Sequence, residues 1–261
     1  MALFFEVLGE GAPGAPGVLL SSGLGGSAHY WKPQAATLVD AGWRVVAYDQ
    51  RGTGRSPADL PAGYSISDMA DDVLEVMDAS GTARCHLVGH ALGGLVGLQL
   101  ALDAPERIAS LTLINAWAEP NGHSARCFDA RLALLGAVGV RAYVEAQPLF
   151  LYPAAWSLAN AELVAAEVEH AIAHFPGEAN MRARIAALRA FDVSARLSAI
   201  KAPVLVSASM DDLLVPWTMS TRLADGLPSA VTDLLPHGGH AHNITEATAF
   251  NETLLAFLKD A

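Results

Sequence analysis

Hydrophobic positions along this chain fall into two alternating rhythms. Short apolar or β-branched runs of the strand type occupy 3–8, 18–21, 45–48, 86–88, 111–114, 204–207 and 230–235. Between the later runs lie stretches with helical spacing. In one of them Ile66, Met69, Val73, Val76 and Met77 share a face, with Asp68, Asp71, Asp72 and Glu75 largely on the other. Another covers 95–102. Strands alternating with helices predict a mainly parallel sheet covered on both faces. Gly11-Ala12-Pro13-Gly14-Ala15-Pro16-Gly17 is a turn sequence and predicts an antiparallel hairpin between the first two strands.

The alternation stops after Asn115. From 118 to 197 the chain is alanine-rich and helical in pattern, without a clear strand, punctuated by Pro148, Pro153 and Pro176. The strand rhythm resumes after Ile200-Lys201-Ala202-Pro203. The expected organisation is one α/β core, 1–117 and 198–261, with a helical cap, 118–197, inserted between two of its strands. The chain shows no repeats and no low-complexity tail.

Composition narrows the partners. With 52% hydrophobic and 16% charged residues, a large core is easily filled and disorder is not expected. A formal net charge of -11 argues against nucleic acid and anionic membranes, both of which need a basic surface. Met1-Ala2-Leu3-Phe4-Phe5 lacks the basic start of a signal peptide, and the apolar run 132–140 is too short to span a bilayer. A cytoplasmic protein with a small-molecule substrate is the expectation, and the apolar cap admits a homodimer. Cys85, at a strand start, and Cys127, in a cap helix, are read as two reduced thiols in packing roles.

The chemistry is concentrated at three points. Gly89-His90-Ala91-Leu92-Gly93-Gly94 joins a strand to a helix with the small-x-nucleophile-x-small spacing of a sharp turn, where glycines let the backbones approach closely. The third residue of such a turn projects over the carboxyl edge of the sheet, where ligands of α/β folds bind. Serine is the usual occupant; here it is Ala91, which has no nucleophilic atom. Downstream, Asp211-Asp212-Leu213-Leu214-Val215-Pro216 follows one strand and Gly238-Gly239-His240 follows another. Elbow, acid and histidine in that chain order are the signature of the α/β-hydrolase fold. Asp212, four residues before Pro216, is read as the acid and His240 as the general acid/base; Asp211 is expected to cap or face solvent. The backbone N–H groups of Leu24 and Leu92 are the expected oxyanion donors.

Other motifs compete less well. Gly23-Leu24-Gly25-Gly26-Ser27-Ala28 followed by Asp49 also fits a dinucleotide fingerprint. The hydrolase reading explains it together with the loop Asp49-Gln50-Arg51-Gly52-Thr53-Gly54-Arg55-Ser56, so no cofactor is expected. His86 and His90 lie on a strand and a turn, and His237, His240 and His242 lie beside the catalytic loop; neither group is read as a metal site. His123 and His174 are expected at the surface or in structural hydrogen bonds. Trp31, Trp117, Tyr152 and Trp156 are read as packing residues. Arg126 and Arg131, in the cap, are read as surface salt-bridge formers rather than as binders of a substrate carboxylate.

A specific resemblance then emerges. It rests on Gly23-Leu24-Gly25-Gly26-Ser27 with Tyr30-Trp31, on Tyr48-Asp49-Gln50-Arg51-Gly52-Thr53-Gly54, and on Val88-Gly89-His90-Ala91-Leu92-Gly93. The most distinctive run is Val144-Glu145-Ala146-Gln147-Pro148-Leu149-Phe150-Leu151-Tyr152-Pro153-Ala154 in the cap. The chain resembles the RutD family, α/β-hydrolases of the Rut pyrimidine-utilisation pathway. The resemblance implies a hydrolase of uracil nitrogen catabolism acting on a C–N bond, with carbamate or 3-aminoacrylate as substrate, and it implies that Ala91 is native. The residues by themselves leave two other readings open: a serine esterase or lactonase with an engineered alanine, and a non-catalytic binding module. With no nucleophile, the retained pair Asp212 and His240 points to activation of water rather than a covalent route.

Overall fold

In a computed structural model of the chain, residues 2–12 and 15–261 are described. Seven strands form one sheet: β1 Phe5–Leu8, β2 Gly17–Ser21, β3 Val45–Tyr48, β4 Cys85–His90, β5 Ile108–Ile114, β6 Val204–Ser209 and β7 Ala230–Leu235. Their order is β1-β3-β2-β4-β5-β6-β7, with β1 antiparallel and every other neighbouring pair parallel. Helices α1 Lys32–Asp40, α2 Ile66–Ala79 and α3 Leu92–Asp103 follow the early strands; α10 Trp217–Gly226, α11 His242–Thr245 and α12 Ala247–Asp260 follow the late ones. Six helices lie between β5 and β6: α4 Gly122–Ala137, α5 Val140–Glu145, α6 Gln147–Leu151, α7 Ala154–Ala159, α8 Ala161–Ala173 and α9 Glu178–Ala190.

The pleat divides the core between two faces. Val18, Leu20, Val45, Ala47 and Val88 pack with Trp31, Leu38 and Phe250 on the side of α1 and α12. Leu19, Val46, Tyr48, Leu87 and Leu111 pack on the side of α2, α3 and α10. Successive residues of one strand therefore enter opposite cores, as the period of two requires. No helix of the described residues is long and apolar enough to cross a membrane.

The expected hairpin between the first two strands is absent. β1 pairs with β3, and β2 lies between β3 and β4. Pro13 and Gly14 of the expected turn lie outside the described residues. The reason for the pairing is visible in burial: all five residues of β2 are buried, whereas β1 is half-buried to exposed. A strand apolar on both faces takes the centre, and β1, carrying Glu6, takes the edge. Asp72 is a second correction. It is buried, not solvent-facing, and receives Arg51 at 2.6 Å and the Tyr64 hydroxyl at 2.5 Å.

Candidate active site

The parallel register ends the strands at Ser21, His90, Ile114 and Ser209, so the loops that follow gather at one edge. The turn after β4 is the sharpest. Ala91 has φ 46° and ψ -109°, a left-handed conformation that costs a non-glycine residue of the order of 1–3 kcal/mol. Its N–H donates to the Ile114 carbonyl at 2.8 Å, and its carbonyl accepts from Gly94 and Leu95 at the head of α3. The flanking glycines are obligatory. A Cβ on Gly93 would stand 2.0 Å from the Ser21 carbonyl oxygen, and one on Gly89 would stand 2.4 Å from that of Gly93. The result places the Ala91 methyl on the wall of a cavity of about 580 Å³, which His240, Trp117, Phe128 and Leu214 also line.

Asp212 and His240 meet across two loops. His240 Nδ1 lies 2.8 Å from Asp212 Oδ2, with side chains 3% and 0% exposed. The other carboxylate oxygen, Oδ1, accepts backbone N–H groups from Leu214 (2.7 Å) and Val215 (2.9 Å). An ionised carboxylate only accepts, so Nδ1 carries the proton and donates it to Asp212. Nε2 is left with its lone pair, and no hydrogen-bond partner for it is found among the described residues. Asp211 turns away from His240 yet shapes its loop: Oδ1 accepts from Ser209 Oγ (2.6 Å) and from the Gly239 N–H (2.8 Å). Burial pushes the Asp211 carboxyl up, and these hydrogen bonds outweigh it, so its pKa is held below the usual range.

The two N–H groups expected as oxyanion donors lie on the loop after β2 and directly after Ala91. Leu92 is the first residue of α3, where N–H groups have no intrahelical acceptor, and Leu24 lines the cavity from the loop after β2. Neither N–H has a partner among the described residues. Sequence reasoning missed the groups that hold this arrangement. Asn115, at φ 48°, donates from Nδ2 to the His240 carbonyl at 2.6 Å and accepts at Oδ1 from the Ser209 N–H at 3.1 Å. An asparagine directly after an apolar strand was the available signal, since Asn tolerates this backbone region. His90 is fully buried. Its Nε2 donates to the His240 carbonyl at 2.8 Å, and its ring stacks on Tyr30 at 5.0 Å between centroids. Burial, then the nearby His240, holds its pKa well below the ordinary value. Arg184, from α9, donates to the Leu24 carbonyl through Nε (3.2 Å) and Nη2 (3.1 Å) and also bonds Gln50 Oε1. Burial lowers its pKa to about 10. The cap run singled out in the sequence touches the same loop, where the Leu151 carbonyl accepts the Ala241 N–H at 3.0 Å.

The remaining expectations sort cleanly. Asp49 does not await a ribose. It accepts from the Ala28 N–H at 2.8 Å and from Arg55 N and Nε, both at 2.8 Å. The three late histidines do not converge: only His240 faces the cavity, His242 bonds Ser207 Oγ at 2.8 Å beneath it, and His237 is exposed near Glu246. His123 bonds the Leu213 carbonyl, and His174 bonds that of His170. Arg126 is exposed, but Arg131 is buried, contrary to its reading as a surface ion pair.

Comparisons agree with this fold. A family model described as the alpha/beta hydrolase fold matches residues 16–139. The chain is 69% identical over 258 residues to a protein of Variovorax paradoxus named "Putative carbamate hydrolase RutD", covering 99% of this chain and 96% of the relative. A protein of the same name from Agrobacterium fabrum is 54% identical, covering 99% of each. Among solved structures, the enol-lactonase of Burkholderia xenovorans LB400 superposes with a TM-score of 0.88 at 29% identity, covering 98% of this chain and 96% of the other. The chain belongs to the RutD family of α/β-hydrolases.

Proposed function

We propose that this chain hydrolyses a small, unstable nitrogen anion of uracil catabolism, carbamate or 3-aminoacrylate, by activating water without a covalent intermediate. The observation that carries the reading is the 2.8 Å contact between His240 Nδ1 and Asp212 Oδ2 beside an elbow whose residue has no nucleophile. The names of the relatives support carbamate. Asp212 fixes the tautomer that leaves the Nε2 lone pair toward the cavity and stabilises the imidazolium once it forms. A water in the space a serine hydroxyl would fill gives its proton to Nε2, or the resulting imidazolium protonates the substrate. For carbamate, the imidazolium protonates nitrogen, the C–N bond breaks to release ammonia, and the hydroxide left by the water adds to the carbon to give bicarbonate. For the enamine, protonation at carbon yields an iminium, water adds to it, and ammonia leaves. Such acid/base catalysis is worth roughly 10²–10⁴-fold. That suffices for compounds that also decay unaided.

Three residues act through others in this scheme. Arg184 holds the Leu24 carbonyl and so restrains the loop that carries the Leu24 N–H, and Asn115 and His90 grip the His240 carbonyl. The division into core and cap serves the same end, with the cap helices closing the cavity over the sheet edge. The test is ammonia release from substrate generated in place, comparing the native chain with His240→Ala. The variant is expected to fall to the uncatalysed rate; equal rates would reject the reading.

A further inference from the structure

The geometry points to Arg131 as the group that binds the carboxylate of a small anionic ligand in this cavity. The proposal rests on the reading of the cavity as the active site and adds what recognises its substrate. Arg131 stands on α4, is 4% exposed, and lines the same cavity as Ala91 and His240. Three surface arginines of the cap are paired with a carboxylate: Arg141 with Glu169, Arg182 with Glu178, Arg189 with Asp129. Arg131 has no such partner among the described residues. Its guanidinium lies 5.2–5.6 Å from the ring centroids of Tyr143, Phe128 and Phe150, and Nη2 donates to the Tyr143 hydroxyl at 3.0 Å. Nε is buried without a partner, and no bond to Nη1 is found among the described residues.

A guanidinium cannot shed its proton, so burial leaves a fixed positive charge. Aromatic faces offset part of the desolvation, but they supply no acceptor for its remaining N–H groups. What is missing is an anion with oxygen acceptors, and the open side of the group is the cavity. Arg184, the other buried arginine of the cap, also has an unpartnered nitrogen, Nη1, but it donates to the Leu24 carbonyl and Gln50 and does not line the cavity. The Tyr143 hydroxyl holds Arg131 in place, and a carboxylate on the guanidinium leaves the rest of a short ligand to extend across the cavity.

The probes are propionate and its neutral counterpart propionamide, titrated into the chain in chloride-free buffer by calorimetry and by NMR. The native chain is expected to prefer propionate by at least about tenfold, in line with a charge-assisted hydrogen bond in a buried site. Arg131→Gln should abolish that preference, and Arg131→Lys should keep part of it. With substrate, Arg131→Gln should raise KM about 10–100-fold with kcat changed only a few-fold. His240→Ala should lose turnover yet keep the preference for propionate, which separates failure of this proposal from failure of the hydrolytic reading. Equal binding of propionate and propionamide by the native chain would overturn the proposal whether or not the variants fold, as would an undiminished preference in Arg131→Gln.

Discussion

Replacing Asp212 by asparagine changes one heavy atom and reverses the chemistry of His240. Oδ1 of Asp212 accepts two backbone N–H groups, from Leu214 and Val215. The amide oxygen of Asp212→Asn must stay there, which places the NH₂ group opposite His240 Nδ1, 2.8 Å away. Two donors cannot face each other, so the imidazole proton moves to Nε2 and Nδ1 becomes the acceptor. Nε2 then has no lone pair for a water proton. Restoring the productive tautomer forfeits a charge-assisted hydrogen bond, about 1.5–3 kcal/mol, and leaves a buried donor unsatisfied, about 1–3 kcal/mol more. Taken together this is about 2.5–6 kcal/mol, or roughly 10²–10⁴ in kcat. The assay is ammonia release per enzyme, read beside the ¹⁵N resonances of the His240 ring, which report the tautomer directly. The chain should melt within a few degrees of the native protein, because both backbone bonds to position 212 persist. A variant with the inverted tautomer and an unchanged rate would refute His240 as the base.

Two further perturbations separate the elbow from the pocket and the core. Ala91→Ser should restore a nucleophile on an intact elbow, with p-nitrophenyl acetate giving a burst of one equivalent and an acetyl adduct by mass spectrometry; absence of both means the site cannot support acyl transfer. Acid titration should expose His242, whose pKa burial and the neighbouring His240 lower to about 3. The folded chain keeps this ring neutral while the unfolded chain protonates it near 6.5, so the unfolded state binds more protons between those values. The stabilisation is full above about pH 6.5 and falls by about 1.4 kcal/mol per pH unit on acidification toward pH 3. His242→Gln should flatten that part of a denaturation-midpoint profile, and an unchanged slope assigns the pH dependence elsewhere.

Much of this was legible because local rules and global fold agreed. The strand at Cys85–His90, the glycines around Ala91 and the acids before Pro216 are each dictated by short-range geometry, and the sequence prints that geometry as residue type. Pairing between strands is different. The first two strands read as a hairpin because a turn lies between them, but burial of both faces of Gly17–Ser21 drew β3 and β4 to its sides. That outcome depends on residues 27 and 68 positions away and leaves no mark in the turn. Arg131 and Asp72 failed for a related cause. Charged residues on amphipathic helices are normally solvated, and only the packing of aromatic neighbours or a buried partner reverses this.

The loss of a serine from such an elbow ought to relax the strain that a nucleophile needs, and here it does not. Ala91 keeps a left-handed backbone that glycine would adopt at lower cost, and Gly93 still sits where a Cβ would stand 2.0 Å from the Ser21 carbonyl oxygen. A turn kept for packing alone gains nothing from that conformation. Under the proposed water activation this turn still serves three ends. It presents the Leu92 N–H at the head of α3, keeps the 91 side chain small enough to leave room for a water, and brings His90 under His240 so that its Nε2 grips the His240 carbonyl. The strain is therefore explained by what surrounds Ala91 rather than by any atom Ala91 carries. On that account a larger apolar residue at 91 would preserve the fold's strain and abolish its purpose.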